Sequence, residues 1–331
     1  MDEAYALKDG SASVHGSSGQ LPLPLVVEAP EADIDLVAHL PHIETVASQH
    51  LTGCGAILLR GFELRGPEDF RRFAEGFGDP LLSYEFGSTP RTAVTGGIYT
   101  ATEYPAHARI PLHNEQSYTR EWGMRLWFYC KLPASTGGET PIADSRRILA
   151  GIDPEVKRKF ISRGLLYVRN YGNGLDVSWQ RVFNTSDPQQ VEIYCRARGI
   201  HCEWKPDGEL RTRQVCQVVE RHPQTGEEVW FNQAHLFHIS ALEPEIRELL
   251  LESVAEEDLP RNVYFADGTP LEAGDLDHIR HVIDAEASVF TWQRGDVLML
   301  DNMLCAHGRA AFAGPREVLV AMARRHANLT I

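Results

Sequence analysis

The chain has no apolar run approaching the length of a membrane span, and its N-terminus lacks the basic-then-apolar pattern of a secretory leader. A cytoplasmic protein is the expectation. Basic residues are short relative to acidic ones, 32 Lys and Arg against 46 Asp and Glu for a formal charge of −14. Such a balance argues against a nucleic acid or an anionic membrane surface as partner and leaves a small molecule. Cys54, Cys130, Cys195, Cys202, Cys216 and Cys305 include no Cys-x-x-Cys pair, so neither a disulfide framework nor a structural zinc site is expected. They read as small buried hydrophobes, with Cys305 close enough to His307 for an oxidising centre to damage it. No Gly-x-Ser-x-Gly is present, so a serine nucleophile has no support.

Metal-ligating residue types are present, in a pattern. The sequence holds three His-x-Glu triplets, whereas about one is expected by chance at these residue frequencies. His42-Ile43-Glu44 lies in a helical pattern, where residues two apart do not face each other. His201-Cys202-Glu203 follows an arginine-rich helix and precedes Trp204-Lys205-Pro206-Asp207-Gly208, so it reads as a loop. Only His113-Asn114-Glu115 follows a proline-led apolar approach, Ile110-Pro111-Leu112, that predicts an extended segment with both side chains on one face. A second histidine, His307, ends the apolar run that starts at Val297. Two histidines and one carboxylate leave half of an iron ion's positions open, the facial triad of non-heme Fe(II) oxygenases.

The rest of the chain reads as scaffold with candidate contacts. Residues 1–19 are predicted to be a disordered arm, and residues 20–331 one catalytic domain with an insertion at about 165–214 over the active site. Helices are expected from Pro41 and Pro67, and strands at Ala56–Arg60 and Met124–Cys130. An aperiodic stretch from Leu81 to Tyr104 suggests a binding loop, within which Arg91 is a candidate for a substrate carboxylate. A hairpin over 215–232 leads to Asn232 and His238, further candidates for the substrate side together with Tyr118. Helices from Pro244 and Asp275 read as an outer layer. The C-terminal part is strand-dense, with strands expected at 288–292, 297–300, 305–308 and 318–323. The fold expected is mainly β with flanking helices around a double-stranded β-helix, or jelly-roll, core.

With His113, Glu115, His307 and Gly314-Pro315-Arg316 in view, the chain resembles the Fe(II)/2-oxoglutarate-dependent dioxygenases of the taurine and 2,4-dichlorophenoxyacetate dioxygenase family from about residue 30 to 326. The resemblance implies Fe(II) on His113, Glu115 and His307, with Arg316 on the final strand pairing with the distal carboxylate of 2-oxoglutarate. Arg309 and Arg325 are the alternatives. Gly137-Gly138-Glu139-Thr140 looks like the family's Gly-Gly-x-Thr turn, which implies a cosubstrate-binding role for Thr140. The runs Tyr99–Pro105 and His113–Tyr118 look like those of members that modify amino acids, free or tethered to a peptidyl carrier protein, in natural-product pathways. Glu115, in place of the small residue of the halogenating subgroup, implies oxygenation without halogenation.

The implied reaction consumes O2, releases succinate and CO2, and hydroxylates the substrate, with desaturation or epoxidation as variants. Two readings from other classes are a zinc hydrolase on the same three ligands and a noncatalytic binding protein on the same fold.

Overall fold

Alternation along three strands decides the architecture. In Glu121–Leu132, Val297–Asp301 and Glu317–Ala327, the residues Trp127, Tyr129, Val297, Met299, Leu319 and Ala321 pack on one side. Leu126, Phe128, Leu298, Leu300, Val318 and Val320 pack on the other. Strands apolar on both faces must be covered on both. In the computed structural model, which describes residues 3–6, 13–16, 21–84, 86–87, 91–172, 174 and 177–328, they lie at the middle of a nine-stranded sheet.

Its order is Glu3–Ala6, Ser13–Gly16, Leu25–Glu28, Ala56–Arg60, Val297–Asp301, Glu121–Leu132, Glu317–Ala327, Ile98–Thr100 and Ala93–Thr95. All neighbours are antiparallel except Leu25–Glu28 with Ala56–Arg60. That parallel pair needs a crossover, which the helix Leu40–Cys54 supplies. Pro41 sits in its first turn and Gly55, at φ 78°, ends it. Ile43, Val46, Ala47 and Leu51, at helical spacing, bury against the sheet together with Phe70 and Phe73 of the helix Pro67–Glu75.

The opposite face of the large sheet looks onto a three-stranded sheet, Ile142–Asp144, Cys305–Arg309 and Ile110–His113. Two facing sheets, antiparallel but for that one pair, with helices outside them make the jelly-roll core expected from the sequence. A second body of structure packs beside it, where Leu165–Tyr171, His201–Trp204 and Leu210–Cys216 form a sheet with Arg261–Phe265. The last strand comes from beyond the stretch 165–214. Ile148, Phe160, Leu276 and Ile279 of the flanking helices share its apolar core.

Several local expectations are corrected. His201–Trp204 is a strand, because Leu210–Cys216 offers it a complete edge. Residues 288–292 form no strand, since Ser288 makes a lone bridge to Ile142. The aperiodic stretch 81–104 contains the hairpin Ala93–Thr95/Ile98–Thr100, which closes the large sheet's edge. Of the stretch 1–19, residues 3–6 and 13–16 are strands at the opposite edge, and the remainder lies outside the described residues.

The three-stranded sheet is tight at one point. Opposite His113 stands His307 and opposite Ile110 stands Arg309, so Pro111 and Leu112 face Gly308 alone, a bulge at the residue that has no N–H to give. A Cβ on Gly308 would lie 2.6 Å from the Ile110 carbonyl oxygen. Gly308→Ala is expected to lower stability by about 1–3 kcal/mol in urea unfolding. Gly274→Ala, where a Cβ meets nothing, should cause no loss.

Candidate metal centre

The strand pairing that sets His113 opposite His307 brings their rings to 4.6 Å between centroids. Glu115 joins them from the turn after the strand, which ends at His113. Strand alternation therefore does not aim its carboxylate; a clamp does. Asn302, 0% exposed, accepts from the Glu115 N–H at 2.7 Å and donates to the Glu115 carbonyl at 2.9 Å. It also donates to the Gly123 carbonyl at 2.9 Å, while its own carbonyl accepts from Asn114 Nδ2 at 2.6 Å. Gln233 Nε2 donates to the Asn114 carbonyl at 2.8 Å. The result is a group of three ligand atoms, one each from His113, Glu115 and His307, all within 4.8 Å of one another.

Protonation favours metal binding. Burial pushes the His113 imidazole below its usual range and His307 further, so both are neutral near pH 7. His113 Nδ1 lies 2.9 Å from the Pro111 carbonyl; donating its proton there leaves Nε2 to bind a metal. His307 Nε2 lies 3.9 Å from Glu115 Oε2, and its Nδ1 is buried without a partner. Two neutral imidazoles and a carboxylate fit a divalent transition metal.

A cavity opens at this group, lined by Arg91, Thr102, Phe128, Thr140, Arg309, Arg316 and both histidines among others. Arg316 Nε donates to the Gly138 carbonyl at 3.1 Å, and no acid among the described residues pairs with the guanidinium. Burial, with Arg309 beside it, pushes Arg316 down to about 10, still protonated at neutral pH. Buried and lacking a counter-charge, it suits an anionic ligand. Thr140 Oγ1 accepts from Trp292 Nε1 at 3.0 Å, which leaves its hydroxyl proton free to donate. The turn before it holds Gly137 at φ 69°, where a Cβ would be 2.2 Å from the Ala311 carbonyl oxygen.

Other candidates are engaged elsewhere. Arg309 donates to the carbonyls of Tyr104, Pro105 and Ala108, and Arg325 sits half-exposed near Glu121. Tyr118 donates to the Phe86 carbonyl inside an aromatic core. Asn232 bridges Val218 and Ala234, and His238 caps its own turn through Ser240. Those three do not line the cavity. The Cys305 thiol is fully buried and pushed well up by that burial, so it is held as the unreactive thiol. Asn302, Trp292 and Phe128, whose ring lies 5.0 Å from that of His307, are absent from the sequence reading. A polar Asp-Asn pair ending an apolar strand was the available signal for the first.

A jelly roll with such a centre defines a class, the mononuclear non-heme iron oxygenases that use 2-oxoglutarate. The chain belongs to the TauD/TfdA family of dioxygenases: the family described as "Taurine catabolism dioxygenase TauD, TfdA family" matches residues 19–322. It is 40% identical over 293 residues to the dapdiamide synthesis protein DdaC of Enterobacter agglomerans, with 88% of each chain covered. A clavaminate synthase-like protein of Arabidopsis thaliana is 32% identical over 321 residues, 92% of this chain and 94% of that one. Among solved structures, PvcB, described as an Fe, alpha-ketoglutarate dependent oxygenase from an isonitrile synthetic pathway, shares the fold with a TM-score of 0.55 at 18% identity, covering 97% of this chain and 94% of that one.

Asn302→Ala should strand the Glu115 and Gly123 backbone groups in the core. An expected loss of about 2–4 kcal/mol in unfolding, with weaker Fe(II) binding in anaerobic titration, checks the clamp.

Proposed function

We propose that the chain hydroxylates an amino acid or amino-acid derivative, free or carrier-tethered, in a natural-product pathway of the cytoplasm. In this reading His113, Glu115 and His307 hold Fe(II), and Arg316 with Thr140 holds the distal carboxylate of 2-oxoglutarate. The observation that carries it is the convergence of the three ligand atoms within 4.8 Å in a cavity that also holds an arginine without an acid partner. The amino-acid substrate is supported by the likeness to DdaC, whose name places it in dapdiamide synthesis. No helix among the described residues is long and apolar enough to cross a membrane.

When bound, Fe(II) and 2-oxoglutarate supply the oxygen activation, with succinate and CO2 as coproducts. The protein positions and insulates. Asn302, braced by Asn114, holds the Glu115 backbone, the Pro111 carbonyl fixes the His113 tautomer, and Phe128 and Val318 wall the cavity with apolar surface. Hydroxylation, desaturation and epoxidation share this arrangement and differ in which substrate carbon is presented.

His113→Ala and His307→Ala are expected to lower Fe(II) stoichiometry from about one per chain to near zero and to abolish succinate formation. Retained stoichiometric iron would remove that residue from the ligand set. Arg316→Ala should raise the KM for 2-oxoglutarate about 10- to 100-fold, the range for a lost charge-assisted hydrogen bond. An unchanged KM would place the cosubstrate contact on another residue. Succinate release across a panel of free amino acids and carrier thioesters, followed by mass analysis of the product, identifies substrate and outcome.

A further inference from the structure

The cavity carries more positive charge than one dicarboxylate explains. Its lining holds the guanidinium groups of Arg91, Arg309 and Arg316 and no carboxylate. Arg309 gives both terminal nitrogens to three backbone carbonyls and keeps only Nε unpartnered, and Arg316 is assigned above. Arg91 remains. Its side chain is 2% exposed, and its contact with an acid is to Glu115 Oε2 at 2.6 Å, an oxygen of the proposed metal-ligand set. Thr102 Oγ1 lies at 3.4 Å, and the guanidinium stacks over the Tyr84 ring at 4.3 Å. Nε and Nη1 are buried with no hydrogen-bond partner.

Unmet donors on a buried cation are costly, and Arg91 leaves two nitrogens without an acceptor where Arg309 leaves one. Tyr84 stacking and the Glu115 contact hold the Arg91 fork in place while two of its nitrogens lack an acceptor. Nε and Nη1 lie on different edges of the guanidinium, so either can give a carboxylate a charge-assisted hydrogen bond. Once Glu115 serves a cation, Arg91 is left with still less counter-charge.

We propose that Arg91 is a second anion anchor of this cavity, holding a carboxylate beside the metal centre, distinct from the one Arg316 takes. The inference rests on the reading of the cavity as a 2-oxoglutarate site. The carboxylate belongs either to the keto-acid end of 2-oxoglutarate or to the substrate, which would then be one with a free carboxyl group.

Two titrations of the full chain loaded with Mn(II) separate these sources. The first measures binding of N-oxalylglycine to wild type, Arg91→Gln and Arg91→Lys. The second, in saturating N-oxalylglycine, measures binding of free L-amino acids and of their carboxamides. Arg91→Gln is expected to weaken one of the two by about ten-fold or more, with partial rescue in Arg91→Lys. Mn(II) affinity should hold or improve, because a cation next to Glu115 has been removed. Loss in the first titration assigns the cosubstrate's carboxylate, and loss in the second, confined to free carboxylates, assigns the substrate's. Wild-type binding by Arg91→Gln in both titrations overturns the proposal, as does a loss of Mn(II) affinity that Arg91→Lys does not restore. A wild-type chain that takes up neither Mn(II) nor N-oxalylglycine instead defeats the reading of the cavity itself.

Discussion

The pairing of Ile110–His113 with Cys305–Arg309 is the constraint on which the rest depends. These segments are nearly two hundred residues apart in sequence, and the ladder between them sets the two imidazoles opposite each other. Pro111 forces a bulge into the ladder, the missing side chain of Gly308 lets the strands close around it, and the Pro111 carbonyl lies against His113 Nδ1. Asn302, four residues before Ala306 on the same late segment, reaches back to seize the backbone of Glu115. Both ends of the chain must therefore be folded before any part of the centre exists.

Around that ladder, electrostatics is arranged by burial more than by surface charge. The net charge of −14 is spread over the whole chain, while the cavity lining is cationic. Desolvation keeps both imidazoles neutral, as ligands must be, and leaves Arg316 charged but without an acid partner. Phe128 and Val318, from the inward side of the large sheet's alternation, supply the low-dielectric wall that strengthens these interactions. The same period-two pattern thus builds the core and one apolar wall of the cavity.

Much of this was legible in the sequence because it is periodic or rests on special residues. The alternation of the central strands, Pro and Gly at helix ends, the Gly-Gly-x-Thr turn and the pairing of an early His-x-Glu with a late histidine all left local marks. What did not was decided by long-range partners. His201–Trp204 becomes a strand only because Leu210–Cys216 lies beside it, and Glu115 is aimed by Asn302 and not by its own strand. The partners of Tyr118, Asn232 and His238, which are Phe86, Val218 with Ala234, and Ser240, leave no mark in the sequence either. The ion pair of Arg91 with Glu115 brings together a loop and a turn that no pattern connects.

The most direct test is an anomalous difference map at the iron edge from crystals grown without oxygen in Fe(II). The account predicts a single strong peak within bonding distance of His113, Glu115 and His307, between the paired strands. A peak bound by other side chains, or an iron-loaded crystal in which either imidazole turns away from the metal, would contradict it.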